Sequence, residues 1–203
     1  RRRAVGAPPG MSSRPFVLVD RDGTINAEHP GRYVLEPDDF ALLPGSLEGL
    51  RKVRDLGLPL AVVTNQSPIA RGWIDAGRLE EIHARMRELL PDIDLTGIYV
   101  CPHAPGDGCA CRKPGTELLL RAAGDIGADP ADGFLVGDKT SDIEAGRNAG
   151  MTTILVRTGF GEEALREGAP ADHVVADLRA AADLIATLVP DAVGEVEADE
   201  VAR

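Results

Sequence analysis

At 203 residues the chain is long enough for one domain with a real core, and its 43% apolar and 27% charged residues suit a globular protein. No apolar run approaches the ~20 residues that span a bilayer, so no membrane partner is expected. A net charge of −11 argues against a nucleic-acid backbone as the main partner.

Residues 1–10 are basic and rich in Pro and Gly, without the apolar stretch of a signal peptide. The chain is read as starting at Met11, with residues 1–13 a disordered extension, 14–189 the working domain and 190–203 a disordered tail carrying five acids and one Arg. Phe16 to Val19 is a continuous apolar run, the mark of a buried strand. Ser46 can cap a helix with Leu47, Leu50, Val53 and Leu56 on one face and Gly57 at its end. Leu58 to Val63 is the next strand. A helix from Asp75 carries Leu79, Ile82, Met86 and Leu89, and Pro91 stops it. Ile98 to Val100 is a third strand, and Leu118, Leu119, Ala122 and Ile126 mark another helix. Phe134 to Val136 is a fourth strand, followed by a helix from Ser141 to Ala149 with Gly150 after it. Thr153 to Val156 and His173 to Val175 complete the strands, before a helix with Leu178, Ala181 and Leu184.

Strands alternating with helices predict an α/β fold: a three-layer, doubly wound, mostly parallel sheet covered on both faces. Ligands of such sheets bind beyond the carboxyl ends of the strands. Four exits there are polar and chemically capable: Asp20-Arg21-Asp22, Thr64-Asn65-Gln66-Ser67, Cys101-Pro102-His103 and Gly137-Asp138-Lys139. Asp20 ends the first strand, where a carboxylate can attack phosphorus; Asp22, two residues on, can trade a proton with the leaving oxygen and then with water. Thr64 offers a hydroxyl to a phosphoryl oxygen. Arg112 and Lys113 supply cations before a helix. Asp138 and Asp142 offer oxygens suited to Mg2+. Each has an ordinary reading too: an Asp-Gly turn, a Thr closing a strand, solvated cations, acids at a helix start.

Cys101, His103, Cys109 and Cys111, spaced C-x-H-x5-C-x-C, fall within eleven residues of a chain with no other cysteine. The odd count suggests a reducing, cytoplasmic compartment, and the clustering suggests metal before disulfide. Three thiolates and an imidazole make a closed tetrahedral set of the structural-zinc kind; the plain alternative is three free thiols near a histidine. A disulfide within the C-x-C pair would be strained. His83 and His173 fit a helix face and a strand start without chemistry, and Trp73, which follows Arg71-Gly72, is expected to pack, with lining the pocket as the alternative.

Taken together and in this order, Asp20-Arg-Asp22-Gly-Thr24, Thr64, Lys113 and Gly137-Asp138-x3-Asp142 resemble the four motifs of the haloacid dehalogenase superfamily of aspartyl-phosphate phosphatases. The resemblance implies Asp20 as nucleophile, Asp22 as general acid and base, and Thr64 and Lys113 as phosphoryl stabilisers. It also implies Mg2+ held by Asp20, Asp138 and the Asp22 carbonyl, with Asp142 behind them supporting either the metal or Lys113. VVTNQSPIARGW, CPHAPGDGCACRKP and VGDKTSDIEAG are similar to one branch, the D-glycero-D-manno-heptose 1,7-bisphosphate 7-phosphatases, over about Phe16 to Gly159. That implies an essentially capless domain, a zinc-stapled loop, and substrate contacts from Glu28, His29, Tyr33, Asn65, Gln66, Ser67, Arg112 and Lys139; the chain is separately expected to be a monomer. The expected substrate is accordingly a small sugar phosphate. Three departures fall in pocket-shaping loops: a longer AEHPGRYV, Pro68 in place of Gly, and GTELL after RKP. Histidinol phosphate or another sugar phosphate is the alternative substrate. A receiver-like phospho-switch is the non-enzymatic alternative, although a switch needs neither Asp22 nor a zinc clamp.

Overall fold

The computed structural model describes residues 14–28 and 33–189. The expectations for residues 1–13, for His29 and for the tail from 190 onward lie outside the described residues. Six strands form one sheet in the order β3-β2-β1-β4-β5-β6. They are β1 (Phe16–Val19), β2 (Leu60–Asn65), β3 (Gly97–Cys101), β4 (Gly133–Gly137), β5 (Thr152–Val156) and β6 (His173–Val175). Every neighbouring pair is parallel, as the continuous apolar runs predict for strands covered on both faces.

Strand alternation sends Val17 and Val19 to one face and Phe16 and Leu18 to the other. The first face packs on α1 (Ser46–Asp55), α2 (Ala76–Leu89) and α6 (Leu178–Leu188), through Leu50, Val53, Ile82, Met86 and Ile185. The second packs on α3 (Glu117–Ile126) and α4 (Thr140–Ala149), through Leu119, Ala122 and Ala145. A short α5 (Gly161–Arg166) covers Leu155 and Ile143 through Ala164. Six residues, four of them charged or glycine, leave no helical period to read, so α5 was not expected.

Two local expectations are corrected. Ser46 does not cap α1. Gly45, with φ +82°, stands at the cap position, and the buried Ser46 hydroxyl donates to the Thr24 carbonyl, 3.2 Å away. β2 begins two residues later than expected and runs to Asn65. Pro59 has no N–H for the ladder, while Thr64 and Asn65 go on pairing with Val100 and Cys101. Asp75 does cap α2, accepting from the Arg78 N–H at 2.8 Å, and Gly150 closes α4 with φ +80°. The strand order reverses between β1 and β4. That puts the exits carrying Asp20 and Asp138 side by side at the switch point, where open α/β sheets hold ligands.

Candidate active site

The exits of β1, β2 and β4 and the Arg112-Lys113 pair converge on a cleft of about 170 Å3. Asp20 is buried at the end of β1, and the Lys113 ammonium lies 2.6 Å from its Oδ1 and 2.7 Å from Asp142 Oδ1, donating also to the Val63 carbonyl at 2.8 Å. Burial pushes the Asp20 carboxyl up against the pull of Lys113. Burial would pull Lys113 down, but Asp142 and Asp20 outweigh it and hold the ammonium charged. Asp142 thus stands behind the lysine, as the motif implies, and accepts the Lys139 backbone N–H at 3.0 Å.

Asp20, Asp138 and Asp142 can each bring a carboxylate oxygen within 4.8 Å of the others. Asp138 is fully buried. Its Oδ2 accepts from the Phe160 N–H at 2.8 Å, and its Oδ1 has no hydrogen-bond partner, the Lys139 ammonium lying 3.8 Å away. A buried carboxylate oxygen without a hydrogen bond, among other acids, is costly unless a cation completes it. Burial raises the Asp138 carboxyl well above its ordinary value, Lys139 opposing it. The donor set therefore fits a hard divalent cation. The side chain reaches this point only because Gly23 (φ +87°) and Gly159 (φ +55°) leave it room; a Cβ on either would overlap its carboxylate.

Asp22 is held from three sides. Arg21 donates to its Oδ1 from Nε at 3.2 Å and grips both oxygens from Nη2 at 2.9 Å. Asn26 Nδ2 donates at 3.0 Å and Gln66 Nε2 at 2.7 Å. Burial raises this carboxyl, but the charge and hydrogen bonds of Arg21 overcome it, leaving it below the ordinary value. Gln66 also donates to Thr64 Oγ1 at 2.8 Å, so one amide links the two side chains.

Of the expected substrate contacts, Glu28, Tyr33, Asn65, Ser67, Arg112 and Lys139 line the cleft. Gln66 does not: it is buried, with its amide spent on Asp22 and Thr64. Lys139 bonds Glu28 at 2.5 Å and approaches the Asp22 carbonyl at 3.4 Å. Burial lifts Glu28 to about 7 despite that partner. Trp73 is not packed as expected. It is 51% exposed, edge-on to Tyr33 at 5.5 Å and beneath Arg71 at 5.0 Å, after Gly72 with φ +67°. A larger hollow of about 810 Å3 lies beyond it. Its Arg78 is paired to Glu36 and Glu81, so it offers no free reactive group. Ser141 lines the cleft and Arg21 and Asn26 hold Asp22, three residues the motif reading passed over. A charged residue closing an apolar strand was the available signal for Arg21.

Cys101, His103, Cys109 and Cys111 gather as their spacing predicts. The sulfurs of Cys101 and Cys109 are 3.7 Å apart, those of Cys101 and Cys111 3.3 Å, and His103 Nδ1 is 3.2 Å from Cys111 Sγ. Thiolates sharing one zinc at about 2.3 Å stand about 3.7 Å apart, so the set fits a tetrahedral ion. All three cysteines are free of disulfides. Arg112, next to the last thiol, donates to the His103 carbonyl at 3.0 Å.

This sheet order, with an acid pair, a hydroxyl and buried carboxylates at its exits and a buried lysine between them, defines a phosphoryl-transfer hydrolase of the haloacid dehalogenase type. The HAD-hydrolase-like family matches residues 110–181. A Pseudomonas aeruginosa protein named D-glycero-beta-D-manno-heptose-1,7-bisphosphate 7-phosphatase is 38% identical over 81% of this chain and 93% of its own length. The Escherichia coli protein of that name is 41% identical over 72% and 81%. The D,D-heptose 1,7-bisphosphate phosphatase of B. bronchiseptica, solved with magnesium and phosphate, superposes with TM-score 0.80 at 35% identity, over 86% of this chain and 99% of that one. The chain belongs to the D-glycero-beta-D-manno-heptose-1,7-bisphosphate 7-phosphatase family of HAD-like hydrolases. It is a phosphatase of phosphoric monoesters. Among the described residues no helix is long and apolar enough to cross a membrane.

Proposed function

We propose that residues 14–189 form a phosphatase that removes the C7 phosphate of D-glycero-D-manno-heptose 1,7-bisphosphate, acting as a monomer in a reducing, cytoplasmic compartment. The observation that carries the reading is the buried meeting of Asp20, Lys113, Asp138 and Asp142 at the switch point. Asp20 Oδ attacks phosphorus and the bond to the sugar oxygen breaks, with Asp22 giving that oxygen its proton. Water then attacks the aspartyl phosphate, Asp22 takes its proton back, and inorganic phosphate leaves. The hydrogen bonds around Asp22 favour the ionised form needed by the second half. A phosphate dianion entering the cleft raises that carboxyl toward the protonated form needed by the first. Thr64 and Lys113 hold the phosphoryl oxygens.

Asp20, Asp138 and the Asp22 carbonyl would hold Mg2+, with Asp142 behind, and the bound ion would neutralise phosphoryl charge. Cys101, His103, Cys109 and Cys111 would hold a structural zinc. Glu28, Tyr33, Asn65, Ser67, Arg112 and Lys139 face the sugar. The relatives' names support the heptose reading, and the departures at Pro68 and after Pro114 are not among the residues that line the cleft. Hydrolysis of both heptose bisphosphate anomers and of histidinol phosphate, measured side by side, tests it. A heptose preference is expected, and a clear preference for histidinol phosphate would overturn the choice of substrate.

A further inference from the structure

Arg21 is the largest fully buried side chain among the described residues, 1% exposed. Arginine is almost never buried unless its charge is paired and its donors are used. Its place in the turn after β1, one residue past Asp20, does not need it: an apolar residue there would carry a lower desolvation cost. What the guanidinium does is grip. Nε and Nη2 hold the two Asp22 oxygens, and its face lies over the Phe40 ring at 5.9 Å. Nη1 lies 3.2 Å from His83 Nε2, on α2 and 62 residues along the chain. Arginine has no acceptor, so His83 Nε2 must present its lone pair and the ring proton must sit on Nδ1, facing Glu80 at 3.9 Å. A buried neutral histidine thus braces a buried arginine, which braces the carboxylate proposed to move protons.

We infer that Arg21, braced by His83, is a positioning residue for the proton-transfer step, fixing the Asp22 carboxylate against the leaving oxygen. The inference rests on the assignment of Asp22 as general acid and base. The grip matters: Nη2 on both oxygens, with Nε adding a second bond to Oδ1, sets the plane of the carboxylate as well as its place, and Asn26 and Gln66 fix what remains. A lysine would supply charge without the plane.

Leaving-group dependence reads this out. Departure of 2,4-dinitrophenolate needs no proton, whereas departure of a sugar alkoxide does. Positioned proton transfer contributes about 10²–10⁴-fold, and misorienting a carboxyl that is still present forfeits part of that. In Arg21→Lys, with Mg2+ present, kcat/KM for the preferred sugar phosphate is expected to fall about 10-fold or more beyond its fall for 2,4-dinitrophenyl phosphate. Equal losses on the two substrates would show a merely structural role and overturn the inference. Asp22→Asn is the control. If it shows the selective loss and Arg21→Lys does not, the positioning role fails while the acid assignment stands. If Asp22→Asn itself loses equally on both, the assignment fails and the inference with it. Should Arg21→Lys not fold, His83→Leu takes its place. It is expected to show the same selective loss, which His83→Gln, retaining an acceptor, largely restores. Equal losses in His83→Leu would again overturn the inference.

Discussion

His83 makes the stability of this protein depend on pH in a calculable way. It is 3% exposed, and burial first, then the adjacent Arg21 charge, pulls its imidazole down from 6.5 to about 4. A histidine whose folded value is depressed is protonated in the unfolded chain before the folded one. Its contribution is whole above about pH 6.5 and drains as the pH falls toward 4, at up to about 1.4 kcal/mol per pH unit. Between pH 7 and pH 5 that comes to about 2 kcal/mol. Urea unfolding followed by circular dichroism at pH 7.5, 6.5, 5.5 and 5.0 measures it, for the native chain and for His83→Gln. The variant has its own offset, but His103, His173 and the carboxylates are common to both, so the difference in slope belongs to His83. The native protein should lose about 2 kcal/mol more than the variant over that range. Parallel losses would refute the buried, neutral histidine, and with it the acceptor role toward Arg21.

Asp20→Asn removes the nucleophile and should lower turnover at least about 10³-fold, with thermal melting showing that the chain still folds; a variant at native rates would refute the assignment. Elemental analysis should find about one zinc per chain, the count set by one Cys3His site. Removing it with a chelator should lower the melting temperature and weaken inhibition by inorganic phosphate together; fully active zinc-free protein would refute the staple. Gly49→Ala places a Cβ 2.6 Å from the Leu178 carbonyl where α1 crosses α6. It should cost about 1–3 kcal/mol in urea unfolding and leave KM unchanged.

The strands were legible because each is a short apolar run buried on both faces, and the exits were legible because polar residues interrupt those runs at fixed places. The positions of Asp20, Asp22, Thr64 and Asp138 follow from that pattern; their proposed roles, and Lys113 beyond the cysteine loop, were readable only through the four motifs taken together. Other features were not readable locally. Gly45 takes the cap position because Ser46 is drawn away to Thr24, a contact across 22 residues. Gln66 sits in a motif of apparent substrate contacts yet turns inward, since Asp22 and Thr64 both need a donor there. His83 occupies an ordinary buried face of α2. Only the packing of α2 beneath β1 makes it a partner of Arg21, and no spacing in the sequence encodes that.

Lys113 shows how the loops and the sheet divide the work. Asp20, Thr64 and Asp138 are placed by strands, whose ladders fix them. Lys113 lies beyond the cysteine loop, on no strand, yet its ammonium must meet Asp20 within a fraction of an ångström for a dianion to approach a carboxylate. Three ties supply what a strand would. Asn65, at the end of β2, exchanges two 3.1 Å bonds with the Lys113 backbone. The ammonium itself donates to the Val63 carbonyl. Arg112 is anchored to the His103 carbonyl inside the metal-binding cluster. The cysteine cluster is thus joined to Lys113 through one residue, Arg112. Loosening it should disturb the phosphate cradle before it disturbs the sheet, whose packed faces lie mostly elsewhere. That is why phosphate inhibition, rather than melting alone, is the sensitive measure of zinc loss.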